Sequence, residues 1–328
     1  MKILITGAAG CLGSCLVNSL IKNANKISQM EGLADELESP LEIFATDIKE
    51  NPFTDAANLS YQRFDLRSAD FHLWLAEIRP DKIVHLASIL QISKQITREV
   101  AHEIDVIATK DLLAHAVTLN VKKFIVTTSG AAYGYYPENK EVITEQRATR
   151  GNSDYFYSAH KAEVEALMAS YKEKHPAMEQ VIFRPGAILG PDFHGPVVNL
   201  FQQKMIVGLI GYPGPFNFIW SEDIVDYIIE ALSTSITGEF NIAGDGTLSM
   251  RDIANRLQKP YIPLPPLLIQ AVLAIAKPLG LSQYGPEQVK FIKYRPVLAN
   301  EKIKKTFTHQ PRYSTIKALD AFLSLKQY

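Results

Sequence analysis

A doubly wound parallel α/β sheet followed by a smaller mixed lobe is the architecture predicted by this 328-residue sequence. Three observations carry the prediction. Short apolar runs alternate with segments of helical spacing, the pattern of a parallel sheet covered on both faces. The first run ends in a glycine-rich turn that opens a helix. The alternation stops after Pro185, and glycine and proline then recur as far as Pro215.

In chain order, "KILIT" is the first strand, "GAAGCLG" the turn and "CLVNSLI" the helix after it. Further strands are expected at "LEIFAT", "IVHLAS", "KFIVTTS" and "QVIFRP", with helices between them such as 69–78 and 106–119. Beyond Pro185 come "FNFIW", a helix from about Glu222, the strand "GEFNIAG" and a helix begun by "LSMRDIA". There Ser249 is the N-cap and Asp252, three residues on, makes a weaker relative of the capping box. The expected division is a dinucleotide-binding domain over 1–185 and a substrate lobe over 186–328, with 217–245 returning to the main sheet. The run "IPLPPLLIQAVLAIAKPLGL" approaches membrane length, but prolines and Lys277 interrupt it. It reads as a buried or lid-like helix, with 267–275 covering the substrate, and not as a span.

Composition narrows the function. The chain is 47% hydrophobic and 21% charged, with a net charge of −1. That balance gives no electrostatic footprint for nucleic acid, and no basic stripe restores one. Cys11 and Cys15 lie four apart in one helix, read as small buried residues with neither a disulfide nor a metal site. Met1 leads straight into a strand with no leader pattern, so the chain is expected in the cytoplasm. The expected partner is a small-molecule substrate.

Gly7, Gly10 and Gly13 are spaced three apart between strand and helix. Backbone N–H groups and the helix dipole there point at a bound pyrophosphate, as in a Rossmann-type fold; a tight turn without ligand is the other reading. Asp47 ends the second strand, where a carboxylate accepts hydrogen bonds from ribose hydroxyls and repels a 2′-phosphate. NAD is therefore the expected cofactor. Asp47 comes later than the usual spacing because the polar segment 22–40 looks inserted, and Lys49 is close enough to help hold a phosphate.

The stretch "YFYSAHKAE" spans 155–163. At 100° per residue, Tyr157, Lys161, Val164, Met168 and Tyr171 fall within an arc of about 80° that faces inward. Tyr155 projects to the other side, and His160 lies off the arc, where it is expected to cap the helix or meet solvent. Lys161 either snorkels or stabilises the Tyr157 phenolate one turn away. Bringing a phenol from its pKa of about 10 to neutrality takes about 4 kcal/mol. An ammonium and an oxidised nicotinamide ring could supply that in a partly dry cleft. Such a phenol takes or returns the proton of a secondary alcohol while hydride moves to the cofactor.

The ordered set "TGAAGCLG", "FDLRS", "IVHLAS", "VTTSGAAYG", "YSAHK" and "FRPGAILGP" resembles the extended short-chain dehydrogenase/reductase family, the NAD-dependent epimerases and dehydratases, over nearly the whole chain. The resemblance implies that Ser129, beside Gly130, positions the substrate hydroxyl and that Tyr157 is the general acid/base. Lys161 would bind the nicotinamide ribose and lower the tyrosine pKa. Cys11 and Leu12 would join the glycines around the pyrophosphate. Asp65 and Leu66 would lie near the adenine, with His85, Leu86, Ala87, Ser88 and Pro185 along the cofactor. A homodimer through helices on one side of the sheet is also implied.

The chain departs from that pattern in places. Asp105 stands where an asparagine often completes the catalytic set, and an ionised aspartate cannot donate a hydrogen bond; the plainer reading is that it pairs with a nearby cation. Ala187, Phe216 and Trp220 replace an asparagine, an arginine and a histidine of nucleotide-sugar members, while Asn199 resembles one of their diphosphate-side contacts. Between Gly190 and Asp223 there is no arginine, and Lys204 is the lone lysine among Phe201, Tyr212, Phe216, Phe218 and Trp220. The expected function is hydride transfer at a secondary alcohol or ketone of a sugar-like or apolar hydroxy substrate. A UDP-sugar 4-epimerase and a catalytically silent NAD-binding regulatory protein are the alternatives. Tyr133 is the reserve acid/base, and Arg295 the reserve phosphate clamp.

Overall fold

A computed structural model describes residues 1–23, 40–93, 95–282 and 285–326. Most of the segment read as an insertion, residues 24–39, lies outside the described residues. The elements run β1 (Lys2–Thr6), α1 (Cys11–Lys22), β2 (Glu42–Asp47), β3 (Leu59–Arg63), α2 (Ala69–Ile78), β4 (Lys82–His85), α3 (Arg98–His102), α4 (Ala108–Thr118) and β5 (Lys123–Thr127). They continue with α5 (Phe156–Lys174), β6 (Glu179–Pro185), β7 (Ala187–Leu189), α6 (Pro196–Phe201), β8 (Ile206–Leu209), β9 (Phe218–Trp220), α7 (Ser221–Ser233) and β10 (Gly238–Ile242). Last come α8 (Met250–Arg256), β11 (Tyr261–Leu264), α9 (Pro266–Ala276), α10 (Gln288–Lys293), α11 (Glu301–Thr306) and α12 (Thr315–Lys326).

Seven strands form one parallel sheet in the order β10-β6-β5-β4-β1-β2-β3. Alternate residues of each strand point to opposite faces. Leu4, Ile83, Phe124 and Ile182 meet Leu75, Leu112 and Met168 of α2, α4 and α5 on one face. Ile3, Ile5, Val84 and Ile125 meet Leu16 and Ile228 of α1 and α7 on the other. The sheet is thus doubly wound, as its uninterrupted apolar runs predict. β3, not foreseen, is an edge strand whose residues are half-buried or exposed, so it carries no such run.

After β6 the chain builds a third core from residues such as Phe201, Phe218, Ile253 and Phe322. β9 pairs with β7 outside the main sheet, whereas β10 pairs with β6 inside it. Ser249 and Asp252 form a full capping box. The expectation for 262–281 is corrected: no residue of α9 is buried, and none lines the cavity described below. The reason is that the helix is apolar on every side, while the neighbouring α10 covers only part of it.

Candidate active site

The glycine turn is set by close approach. Gly7 has φ +69°, and a Cβ there would lie 2.5 Å from Ala87 N; one on Gly13 would lie 2.2 Å from Gly7 O. Side chains at these positions would push β1, β4 and α1 apart. Gly10 caps α1 without a side-chain acceptor, so the first-turn amides are left for a ligand. Asp47 sits at the end of β2, where Oδ2 accepts from Ala9 N at 3.0 Å and Oδ1 from Lys49 N at 3.2 Å. Lys49 Nζ in turn donates to Ala9 O at 3.3 Å, so both charges adjoin the turn.

A cavity of about 420 Å³ runs from this turn, past Leu86 and Ser88, to Tyr157, Lys161 and Pro185. Two of its hydroxyls, Ser88 Oγ and Thr127 Oγ1, are buried with no hydrogen-bond partner among the described residues. A dinucleotide fits such a wall, because it brings phosphate oxygens for the free amides and polar atoms for the hydroxyls. Ala87 lies behind Gly7. Asp65 is held by Arg67, with Nε to Oδ1 at 3.0 Å and Nη2 to Oδ2 at 2.7 Å, and Leu66 is buried in the core beside α2.

Ser129 follows β5, and Tyr157 and Lys161 lie one turn apart at the start of α5; all three line the cavity. Burial pushes the Tyr157 phenol up, and a hydrogen bond with the Ser129 hydroxyl draws it partly back. Lys161 behaves differently from expectation. Its Nζ lies 5.6 Å from the centroid of the Tyr157 ring, above the face, and donates to Thr127 O at 3.3 Å. Burial depresses the Lys161 ammonium, with Asp105 and Glu165 opposing. In this geometry the hydrogen bond with Ser129 is the side-chain contact that draws the phenol down, while the Lys161 ammonium lies over the ring.

Asp105 lies in a π-helical turn, Glu103–Ile107, inserted between α3 and α4. Such turns concentrate at functional sites. Its Oδ1 accepts from Ile89 N at 2.8 Å, fixing the loop that carries Ser88, and its Oδ2 lies 2.9 Å from His160 Nδ1. His160 is therefore buried, not capping or solvated, because α3 packs on α5 and puts His102 against it, on a side of the helix beyond the predicted arc. The neighbouring His85 bridges Thr6 Oγ1 (2.7 Å) and Thr109 Oγ1 (2.9 Å). Burial and the Lys161 charge lower its pKa to about 3, so the ring is neutral.

Tyr155 also corrects the helical-wheel reading. It is the N-cap, with φ −130° and ψ 99°, so the 100° step does not apply to it. Its ring packs on Phe291 at 4.2 Å and lines the same cavity as Tyr157. Tyr135, Phe291 and Leu298 complete that wall, though none of the three is itself marked by the sequence. A Cβ on Gly130 would meet Leu298 Cδ1 at 3.0 Å, a tight contact to which the leucine side chain would have to yield.

At the far end stand Ala187 and Phe216, with the Arg295 guanidinium 3.9 Å from the Phe216 ring centroid. Arg295 Nε is buried without a hydrogen-bond partner among the described residues, and burial lowers the pKa of the group. Two residues expected on the substrate do not reach the cavity. Trp220 belongs to the lobe's core, packed edge-on against Tyr313 at 5.4 Å, and Asn199 is exposed on the outer side of α6. Tyr133 is buried away from the cavity; it donates to Asn241 Oδ1 and accepts from Arg184 Nη1, both at 2.8 Å. Burial pushes its phenol up to about 12. Cys11 is not without a histidine: His194 Nδ1 comes within 3.3 Å of its thiol. Cys15 is half-buried, and its thiol is pushed up to about 11.

Residues 3–243 match the family described as the NAD dependent epimerase/dehydratase family. A UDP-glucose 4-epimerase of Mycolicibacterium smegmatis is 24% identical over 268 residues, covering 77% of this chain and 80% of that relative. Sterol demethylase protein B of Methylococcus capsulatus is 23% identical over 310 residues, covering 90% of this chain and 87% of that relative. The structure of UDP-glucose 4-epimerase with UDP-glucose from Thermotoga maritima superposes with a TM-score of 0.74 at 17% identity, over 100% of this chain and 99% of that one.

Proposed function

The chain belongs to the NAD-dependent epimerase/dehydratase family, and on that premise we propose that it oxidises or reduces a secondary alcohol or ketone of a sugar-like or apolar hydroxy compound carrying at most one acidic group. The observation that carries the reading is the meeting of Ser129, Tyr157 and Lys161 on one cavity between the glycine turn and an apolar wall. NAD supplies a positively charged hydride acceptor when bound. Ser129 orients the substrate hydroxyl, and Tyr157 takes its proton in oxidation or returns one in reduction. Lys161 holds ribose hydroxyls with the donors it does not spend on Thr127. Asp105 holds the Ser88 loop in place through Ile89.

Leu90, Ile188, Val198, Phe216, Phe291 and Leu298 support an apolar substrate body. Arg295 supports a single acidic or carbonyl group, since one buried guanidinium answers one planar acceptor well. A diphosphate would leave charge unpaired in this wall, which costs several kcal/mol. The Arg295 guanidinium also supports a second reading, a UDP-sugar 4-epimerase, like the relative from Mycolicibacterium smegmatis. Calorimetry with UDP, UDP-glucose and UDP-galactose on the NAD-loaded enzyme separates them. Micromolar binding, or interconversion of the two sugars, replaces the first reading with the second. With an acidic hydroxy substrate, Arg295→Leu is expected to raise KM about tenfold or more with kcat nearly unchanged, the loss of a charged hydrogen bond. An unchanged KM removes Arg295 from substrate binding.

For the cofactor, NAD is expected to bind at least about tenfold more tightly than NADP, because Asp47 faces the ribose edge. Asp47→Ala should narrow that ratio in paired titrations. A preference for NADP would give the edge to Lys49.

A further inference from the structure

We propose that α9 is a surface anchor that seats in an anionic phospholipid membrane. The argument starts with exposure. Leu267 is 78% exposed, Val272 54% and Ile275 64%, and the chain just beyond continues with Leu279 at 65% and Leu281 at 78%. The helix "PLLIQAVLAIA" contains no charged residue. Soluble surfaces rarely carry so continuous an apolar patch without an occupant. Eleven residues make a rod of about 16 Å, about half a hydrocarbon core. No helix among the described residues is long and apolar enough to cross a membrane. Insertion into one leaflet is the depth this helix allows.

Charge selects the occupant. Residues 251–328 carry thirteen Lys and Arg against four Asp and Glu, a net +9, while the whole chain has 34 against 35; residues 1–250 are therefore at −10. The near-neutral total hides an uneven distribution along the sequence, offset in part by ion pairs such as Lys304 with Asp245 and Arg312 with Asp223. Locally, Lys259, Lys277, Lys290 and Lys293 surround α9 in sequence against one acid, Glu287. Lys277 pairs with Glu287 and Lys290 with Asp154, both at half-exposed sites where ion pairs screen only weakly. A cationic segment bearing an apolar helix is complementary to anionic headgroups over acyl chains. A second copy is disfavoured, since it brings the same cationic segment to the contact. The helix also packs on α10, whose Phe291 lines the cavity, so an anchored enzyme would hold its substrate opening near the lipid.

The test uses the full-length, NAD-loaded protein with vesicles of phosphatidylcholine alone and of phosphatidylcholine mixed equally with phosphatidylglycerol. The protein is expected to sediment with the mixed vesicles and to bind about tenfold less to the neutral ones, or to mixed ones in high salt. A variant carrying Leu268→Ser, Val272→Ser and Ile275→Ser should lose about tenfold or more in binding to mixed vesicles while keeping its thermal unfolding and NAD affinity. Val272→Trp, a milder change, should show a blue-shifted emission when mixed vesicles are added. Wild type that stays in the supernatant, or binds both lipids equally, overturns the proposal. So does a dimer in ultracentrifugation that the triple variant dissolves, because a second copy then covers the helix.

Discussion

Tyr157→Phe is expected to lower turnover by about 10³-fold, within the usual range for losing a positioned acid/base, and to leave thermal stability and NAD affinity nearly unchanged. The substitution removes one hydroxyl and keeps the ring against Lys161 and Tyr155. The lost group is the proton carrier bonded to Ser129, and among the described residues no neighbour on the cavity wall shares that bond. Tyr133 cannot, because its hydroxyl is committed to Asn241 and Arg184 in the core. Steady-state kinetics with either redox direction, alongside differential scanning calorimetry, checks the result. Activity retained above about a tenth of wild type would move the proton transfer elsewhere, with Tyr155 the next residue to change.

Glu165→Leu is expected to destabilise the fold by about 3–5 kcal/mol, the usual cost of removing one partner from a buried ion pair. Glu165 and Arg184 are 4% and 5% exposed. Arg184 Nε donates to Glu165 at 3.0 and 2.9 Å, and Thr128 Oγ1 donates to it at 2.7 Å. Removing the carboxylate strands a guanidinium beside Tyr133 and leaves the Thr128 hydroxyl, next to Ser129, with its longer bond to Phe183 O. Urea unfolding should therefore show a clear fall in midpoint, and turnover should fall with it. The double variant Glu165→Leu with Arg184→Met should recover much of the stability, because no buried charge remains. A single variant as stable as wild type would mean that water reaches this pair.

The main sheet was legible because a strand buried on both faces must be apolar throughout, and a glycine turn followed by helical spacing admits few conformations. Six of the seven sheet strands, β10 included, could be placed from the sequence; β3, half-exposed at the edge, could not. Ser129, Tyr157 and Lys161 were legible through motif order and helical spacing. The surroundings that give them chemistry were not. His160 meets Asp105 across 55 residues of sequence, and neither residue's local pattern names the other. Tyr155 joins the site because a helix cap leaves the wheel, which is a matter of its own φ and ψ. Arg295 was legible as a reserve phosphate clamp, but Phe291 and Leu298 beside it were not, and all three reach the cavity only because the C-terminal segment folds back to it. Motif position points Trp220 and Asn199 at the substrate, yet packing turns one into the core and the other to solvent. Periodicity reports which face of an element is buried; which distant residue it is buried against depends on contacts that close only when the lobes fold together.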